Sequence, residues 1–282
     1  MSRISVLRAT ILATVAATAL VLSGCSSTPA AEGGSDTGLD TVTAGKLTVA
    51  TGDPGYFPWI IDNDPSNGKG LESAVAYAVA EKLGFAKEDV VWTRTSFESA
   101  IAPGPKDWDL NMQQYTATDE RRNAVDFSTP YYTTGQAVVT TEGSAAEGAT
   151  SLADLRDLRI GVTVGSTSYS AAEDIIKPAA GVSPFNTNED AVMALKTGQI
   201  DAIVVDTPVA FYVVGDQLED NGLIVGLLGG ATDGDELSIV LPKKSPLTTP
   251  VSEALDALRA DGTLEKIATE WMADAGNTPI LK

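Results

Sequence analysis

Two oppositely charged side chains stand where a folded chain can hold them still. Arg121 closes the run Thr116-Ala117-Thr118-Asp119-Glu120-Arg121, shortly after a segment, Asp109 to Met112, that reads as a strand. Its guanidinium is a planar fork able to hold both oxygens of a carboxylate. Asp206 ends the apolar run Ala202-Ile203-Val204-Val205 and precedes Thr207-Pro208. That puts it at the C-terminal end of a strand, where open α/β sheets present ligand groups. Between another strand and the helix after it, Gly165-Ser166-Thr167-Ser168 leaves backbone N–H groups free, and the helix dipole favours an anion there. Plainer roles stay open. Arg121 can be a surface member of its charged run, as Arg122 is expected to be, and Asp206 can be a helix N-cap before Thr-Pro. A phosphate loop at residues 165–168 lacks the Gly-Lys-Ser/Thr ending it needs.

The elements that must position these groups form two series. Lys46 to Thr51 reads as a strand, and Leu71, Val75, Val79 and Leu83 recur four apart before Gly84, as on one face of a helix closed by glycine. A strand at Val90 to Thr93, a short helix from Phe97 to Ile101 and the strand at Asp109 complete the first series. The second follows the Gly- and Ala-rich stretch from Glu142 to Ala149. It runs strand (Arg159 to Val164), helix (Ser168 to Ile176), a helix capped by Asn188 that reaches Lys196 before Gly198, strand (Ala202 to Val205), helix (Pro208 to Val214) and strand (Leu223 to Leu227). This alternation predicts parallel βαβ units. Gln136 to Thr141 and Glu236 to Leu241 bracket the second series and read as extended crossovers. Ser252 to Met272, with Leu255, Leu258 and Ile267 as apolar anchors and Gly262 between two helices, returns to the first. The expectation is an α/β chain of two lobes, 41–136 with 237–282 and 137–236, with a cleft between them and two hinge strands beneath it.

The first residues read as an export signal, 1–24: Arg3 and Arg8, an apolar run from Ala9 to Leu22, then Leu22-Ser23-Gly24-Cys25. The run falls short of the ~20 residues that cross a bilayer comfortably, so a single-span anchor is the weaker alternative. Cys25 is the only cysteine, which excludes an intrachain disulfide. Its setting resembles a bacterial lipobox, which implies acyl chains on Cys25; the other possibility is an unused signal-peptide cysteine. After Cys25, residues 26–40 are mostly Ser, Thr, Ala, Gly and acid, and 25–40 read as a lipidated N-terminus and flexible tether. About 240 residues then remain for the two lobes.

With 19 basic against 38 acidic residues the chain repels nucleic acid and anionic lipid head groups, so no nucleic-acid partner is expected. There is no histidine, which removes serine–histidine and cysteine–histidine nucleophiles as well as histidine-based zinc and haem sites. No metal and no cofactor is expected. Catalysis by carboxylate, lysine or tyrosine is left open.

One family resemblance gathers these pieces. The Thr116–Arg121 run with Val125-Asp126-Phe127-Ser128-Thr129-Pro130-Tyr131-Tyr132, then Ser151-Leu152-Ala153-Asp154-Leu155, and Ile200-Asp201-Ala202 leading to Asp206-Thr207-Pro208, in this order behind a lipobox, resemble the amino-acid-binding extracellular solute-binding proteins, the receptors of ABC importers. The resemblance implies a two-lobed clamshell of the periplasmic-binding-protein type II fold. It implies that Arg121 clamps a ligand carboxylate beside Thr167, that Asp206 binds the ligand ammonium, and that Thr116 and Thr118 complete the first lobe's half-site. Tyr56 and Phe97 match aromatic walls, with a place in the core as the alternative for either, and Asp53 matches a polar contact, although Gly52 is an extra residue there. A buried zwitterion needs a fixed cation and a fixed anion, and the pair above supplies both.

Two segments depart from the family. Asn111-Met112-Gln113-Gln114-Tyr115 replaces small or apolar residues, so Gln113 or Gln114 brings an amide to the cleft mouth. Leu71-Glu72-Ser73-Ala74 stands where Phe-Asp-x-Asp is usual. The amides favour glutamine, glutamate or asparagine as ligand, with a basic amino acid left open. The expected function is capture of a polar amino acid between the lobes, closure by population shift, and delivery to an ABC importer permease from a lipid anchor outside the cytoplasmic membrane. The alternatives are a dehydratase-like enzyme using a cleft carboxylate, Asp53 or Glu72, and a ligand sensor for a membrane kinase.

Overall fold

The computed structural model describes residues 35–229, 234–272 and 278–282; the expected signal peptide, Cys25 and the start of the tether lie outside them. The strands are β1 (Leu47–Thr51), β2 (Val90–Arg94), β3 (Leu110–Asn111), β4 (Val125–Thr134), β5 (Gln136–Thr141), β6 (Ile160–Thr163), β7 (Val182–Phe185), β8 (Ala202–Asp206), β9 (Gly222–Leu228), β10 (Asp235–Pro242) and β11 (Ile280–Leu281). The helices are α1 (Leu71–Lys82), α2 (Phe97–Ile101), α3 (Asp119–Arg122), α4 (Leu152–Leu155), α5 (Thr167–Ala171), α6 (Asn188–Lys196), α7 (Thr207–Tyr212), α8 (Thr248–Ala260) and α9 (Thr263–Trp271).

Two sheets result. One has the order β2-β1-β3-β10-β4 and the other β11-β9-β5-β8-β6-β7. The expected parallel units are present: β1 lies parallel between β2 and β3, and β6 parallel between β7 and β8. β1 is buried along its whole length, as a strand with neighbours on both sides and helices on its faces must be, which is why Leu47-Thr48-Val49-Ala50 runs almost without polar interruption. α1 lays Leu71, Val75 and Val79 into the same core as Leu47, Val49 and Leu237. It starts at Gly70, whose φ of 94° and whose missing β-carbon, which would strike the Trp59 carbonyl oxygen, leave room for glycine alone. Leu255 and Leu258 of α8 and Leu264 of α9 join this core, with Gly262 at φ 80° between the two helices, so that helical pair returns to the first sheet.

The structure differs from the expectations in four places. Gln136–Thr141 and Asp235–Pro242 are not bridging strands: β5 runs antiparallel to β8 and β9 inside the second sheet, and β10 antiparallel to β3 and β4 inside the first. The chain passes between sheets at Gly135 and again between β9 and β10. The end of the chain, assigned to the first lobe, contributes β11, which lies parallel to β9 in the second sheet. α6 is capped by Thr187, whose hydroxyl accepts the N–H of Asp190; Asn188 is the first helical residue and accepts instead from the Thr163 hydroxyl at 2.7 Å. α5 and α7 are both shorter than expected, and each continues into a π-type turn.

Candidate functional site

Among the sequence-predicted site residues, Arg121 is the most constrained. α3 is a single turn capped by Thr118, whose hydroxyl accepts the Arg121 N–H at 3.2 Å, so the cap fixes the residue it was expected to work beside. The residue as a whole is 8% exposed. Nη1 donates to the Thr116 carbonyl and Nη2 to the Gly165 carbonyl, each at 2.8 Å. Below it lie the stacked rings of Phe97 and Tyr115, 4.5 Å apart, with the guanidinium carbon 5.3 Å from the Phe97 centroid. Burial pulls the Arg121 pKa down, and Tyr115, Asp235 and Asp206 oppose that pull. An arginine stays charged under such a shift. The site therefore holds a permanent, largely desolvated cation with no ion-pair partner among the described salt bridges.

Asp206 faces the same space from the second sheet. It occupies the N-cap position of α7, yet its side chain makes no capping bond. Its Oδ1 accepts from the Gln136 amide at 2.6 Å. The antiparallel register of β5 and β8 sets Gln136 directly opposite Asp206, which is why these two meet. Burial first, and then the charge of Asp235, push Asp206 up to about 7, against the lowering effects of Gln136 and Arg121.

Between these groups is a cavity of about 340 Å³. Of the residues singled out from sequence, Arg121, Asp206, Thr167, Gln113, Gln114, Tyr56, Phe97 and Asp53 line it. Thr116 and Thr118 do not; they stand behind Arg121 and hold it through a carbonyl and a cap. Phe97 both lines the cavity and lies under the Arg121 guanidinium. Tyr56 donates its hydroxyl to Glu189 Oε2 at 2.7 Å, joining a loop of the first sheet to α6 of the second, and Phe57 meets the Tyr212 ring beside it, centroids 5.7 Å apart. Burial, together with the adjacent Glu189, raises the Tyr56 pKa, so the phenol keeps its proton. Arg94 secures that loop by donating to the carbonyls of Gly52 and Asn63. Gly52, the extra residue, is where a β-carbon would collide with the Gln113 amide, so it makes room for that side chain.

Glu72 does not line the cavity. Fully buried on α1, it accepts the Gln114 N–H at 2.8 Å, the Gln114 side-chain amide and the Tyr131 hydroxyl. This grip holds Gln114 at a φ of 54° on the cavity wall. Burial pushes Glu72 up to about 7, against those three hydrogen bonds. Sequence reasoning missed Glu98, Asn186 and Asn188 on the lining, and Gln136, Glu189 and Asp235 just behind it. Strand pairing would have brought Gln136 to Asp206; nothing in the linear pattern marks the others. Among the described residues no cluster of acid or cysteine side chains is arranged to hold a metal, and no helix is long and apolar enough to cross a membrane.

Comparison with known proteins agrees with this architecture. Residues 47–274 match the bacterial extracellular solute-binding proteins, family 3. The arginine-binding extracellular protein ArtP of Bacillus subtilis (strain 168) is 29% identical over 207 residues, which is 72% of this chain and 77% of that one. An ancestral arginine-binding protein solved with arginine bound is 33% identical, with a TM-score of 0.68 over 81% of this chain and 99% of its own. The ancestral amino-acid-binding protein AncCDT-1, a precursor of cyclohexadienyl dehydratase, is 29% identical, with a TM-score of 0.65 over 81% of this chain and 96% of its own. The fold is that of the type II periplasmic binding proteins, two α/β lobes with one sheet each.

Proposed function

Because the chain belongs to the bacterial extracellular solute-binding proteins, family 3, we propose that its cavity captures one free amino acid, with the carboxylate on Arg121 and Thr167 and the ammonium on Asp206. The observation that carries this reading is the placement of a buried cation from the first sheet and a half-buried carboxylate from the second on the walls of one cavity. Each would be costly to bury alone, and a zwitterion satisfies both. Closure of the lobes, hinged at Gly135, follows from the tighter binding that two complete half-sites give.

The lining supports a cationic side chain. Once the ligand's own α-charges are matched to Arg121 and Asp206, the carboxylates of Asp53 and Glu98 remain. A ligand glutamate, favoured from sequence with glutamine and asparagine, would set another carboxylate against them. Arginine in two of the named relatives points the same way, and Gln113 and Gln114 make glutamine the next choice. We read the protein as the receptor of an ABC importer, held outside the cytoplasmic membrane by acyl chains on Cys25; loss of fatty-acid incorporation in Cys25→Ser tests the anchor. Capture rather than catalysis is supported by the candidates for acid–base work: Glu72 is shut away from the cavity by three donors, and Asp53 stands exposed beside Asn63. The test is a thermal-shift panel of L-arginine, L-lysine, L-glutamine, L-glutamate and a cyclic carboxylic acid, run beside an absorbance assay for turnover. A ligand at a hundred times its Kd adds about 2.7 kcal/mol. Stabilisation by arginine above glutamine above glutamate, without turnover, is expected; no shift with any amino acid, or consumption of the acid, overturns the reading.

A further inference from the structure

Asp235 opens β10 in the first sheet and does not line the cavity, yet one of its oxygens touches the supports of both ends of it. Asp235 Oδ2 accepts the Thr167 hydroxyl at 3.1 Å and also a hydrogen of the Gln136 amide nitrogen. The same amide nitrogen gives its other hydrogen to Asp206 Oδ1 at 2.6 Å. Gln136 is 2% exposed, and its Oε1 has no hydrogen-bond partner. Its two N–H bonds to carboxylates are therefore what fix the amide, and releasing either frees it to turn. Thr167 and Asp206 are on the cavity wall, at the positions assigned above to the carboxylate and the ammonium. Thr167 and Gln136 both belong to the second sheet and its helices, whereas Asp235 belongs to the first.

Resting on the reading of the cavity as an amino-acid site, we infer that Asp235 is a positioning residue that, through a single oxygen, orients Thr167 at one end of the site and, by way of Gln136, Asp206 at the other. The role belongs to the acceptor oxygen and not to the charge. Asparagine, which keeps an oxygen at that position, should serve in its place, whereas alanine should not. A residue acting only as a distant anion that draws a cationic ligand would behave differently, because asparagine would then be as poor as alanine.

The experiment uses the full chain with Asp235→Ala, Asp235→Asn and Asp206→Ala, titrated calorimetrically with L-arginine and with 5-guanidinopentanoate, the same molecule without its α-ammonium. Asp235→Ala is expected to weaken both ligands by about tenfold, since Thr167 serves the carboxylate they share, and Asp235→Asn to stay within about threefold of the parent. Asp206→Ala should weaken arginine far more than its deaminated analogue. Loss in Asp235→Ala confined to arginine would make Asp235 a direct ammonium partner and overturn the inference, as would equal losses in the alanine and asparagine variants or no loss in either. If the parent binds neither ligand, the preference for arginine fails, and backbone hydrogen exchange of the unliganded proteins still decides the role of Asp235. Faster exchange across residues 165–169 in Asp235→Ala, restored in Asp235→Asn and with residues 47–51 unchanged, supports it; unchanged exchange across residues 165–169 overturns it.

Discussion

Arg121 Nη2 lies 2.8 Å from the carbonyl oxygen of Gly165, so a guanidinium rooted in the first sheet's α3 already reaches the loop that opens α5 in the second. One side chain thus serves the cavity and clasps its two walls. The Thr118 cap and the Phe97–Tyr115 stack hold it there, which makes the fork a preset feature and not one gathered on binding.

Removal of that side chain is the first expectation. Breaking a buried charge pair costs on the order of 3–5 kcal/mol, so Arg121→Ala should weaken amino-acid binding by at least about a hundredfold. Arg121→Lys should fall between, because an ammonium cannot make the two directed bonds to Thr116 and Gly165 and a carboxylate together. Calorimetry checks both; near-parental affinity in the alanine variant would remove Arg121 from the site.

Asp206 makes binding pH-dependent. Its folded-state pKa, about 7, lies above that of an unfolded aspartate. The folded form therefore holds its proton more tightly, and this group's contribution to stability falls as pH rises from the ordinary carboxylate range through about 7. A ligand ammonium favours the ionised form, so affinity should climb with pH up to about 7 and then level, with a proton released on binding below that point. Titration at about pH 6 in two buffers of different ionisation enthalpy should count that proton in the parent and none in Asp206→Asn. Equal proton counts in the two proteins would contradict the assignment.

Tyr56 and Glu189 join the two halves across the cavity mouth. Tyr56→Phe keeps the ring and loses only the hydrogen bond to a carboxylate, which should weaken every ligand by a similar factor of about ten. Stopped-flow fluorescence should place the change in the dissociation rate. A loss confined to one ligand would show that the hydroxyl recognises a side chain and does not join the walls.

Glu72 concerns stability before binding. Glu72→Ala leaves the Gln114 N–H, the Gln114 amide and the buried Tyr131 hydroxyl without their acceptor, and should destabilise the fold by about 3 kcal/mol in urea titration at neutral pH. Its pKa of about 7 means that the parent, like Asp206, loses stability as pH rises toward 7. Glu72→Ala should flatten that part of the profile. An alanine variant as stable as the parent would show that the three donors find other partners.

Much of this was legible in the sequence because the signals were local. The four-residue spacing of Leu71, Val75 and Val79 and the apolar run ending at Asp206 each define an element and its end without knowledge of the rest, and the Thr116–Arg121 run marks the arginine by its resemblance to the family. What escaped was set by pairing between distant strands. Gln136 meets Asp206 only through the β5–β8 register, and Asp235 reaches Thr167 only after β10 has joined the first sheet. The two threonines expected at the ligand show the same limit: their place just before Arg121 is plain in the sequence, while the direction of their oxygens, toward Arg121, depends on the folded turn. Thr187 displaced Asn188 as a cap for a similar reason, since Thr163 on the neighbouring strand claims the asparagine.

The most direct test of the central claim is a crystal structure of the protein grown with L-arginine. The ligand carboxylate is expected within hydrogen-bond distance of the Arg121 guanidinium and the Thr167 hydroxyl, and the α-ammonium within the same reach of Asp206. Arginine bound outside this cavity, or inside it with both charged ends turned away from Arg121 and Asp206, would contradict the claim.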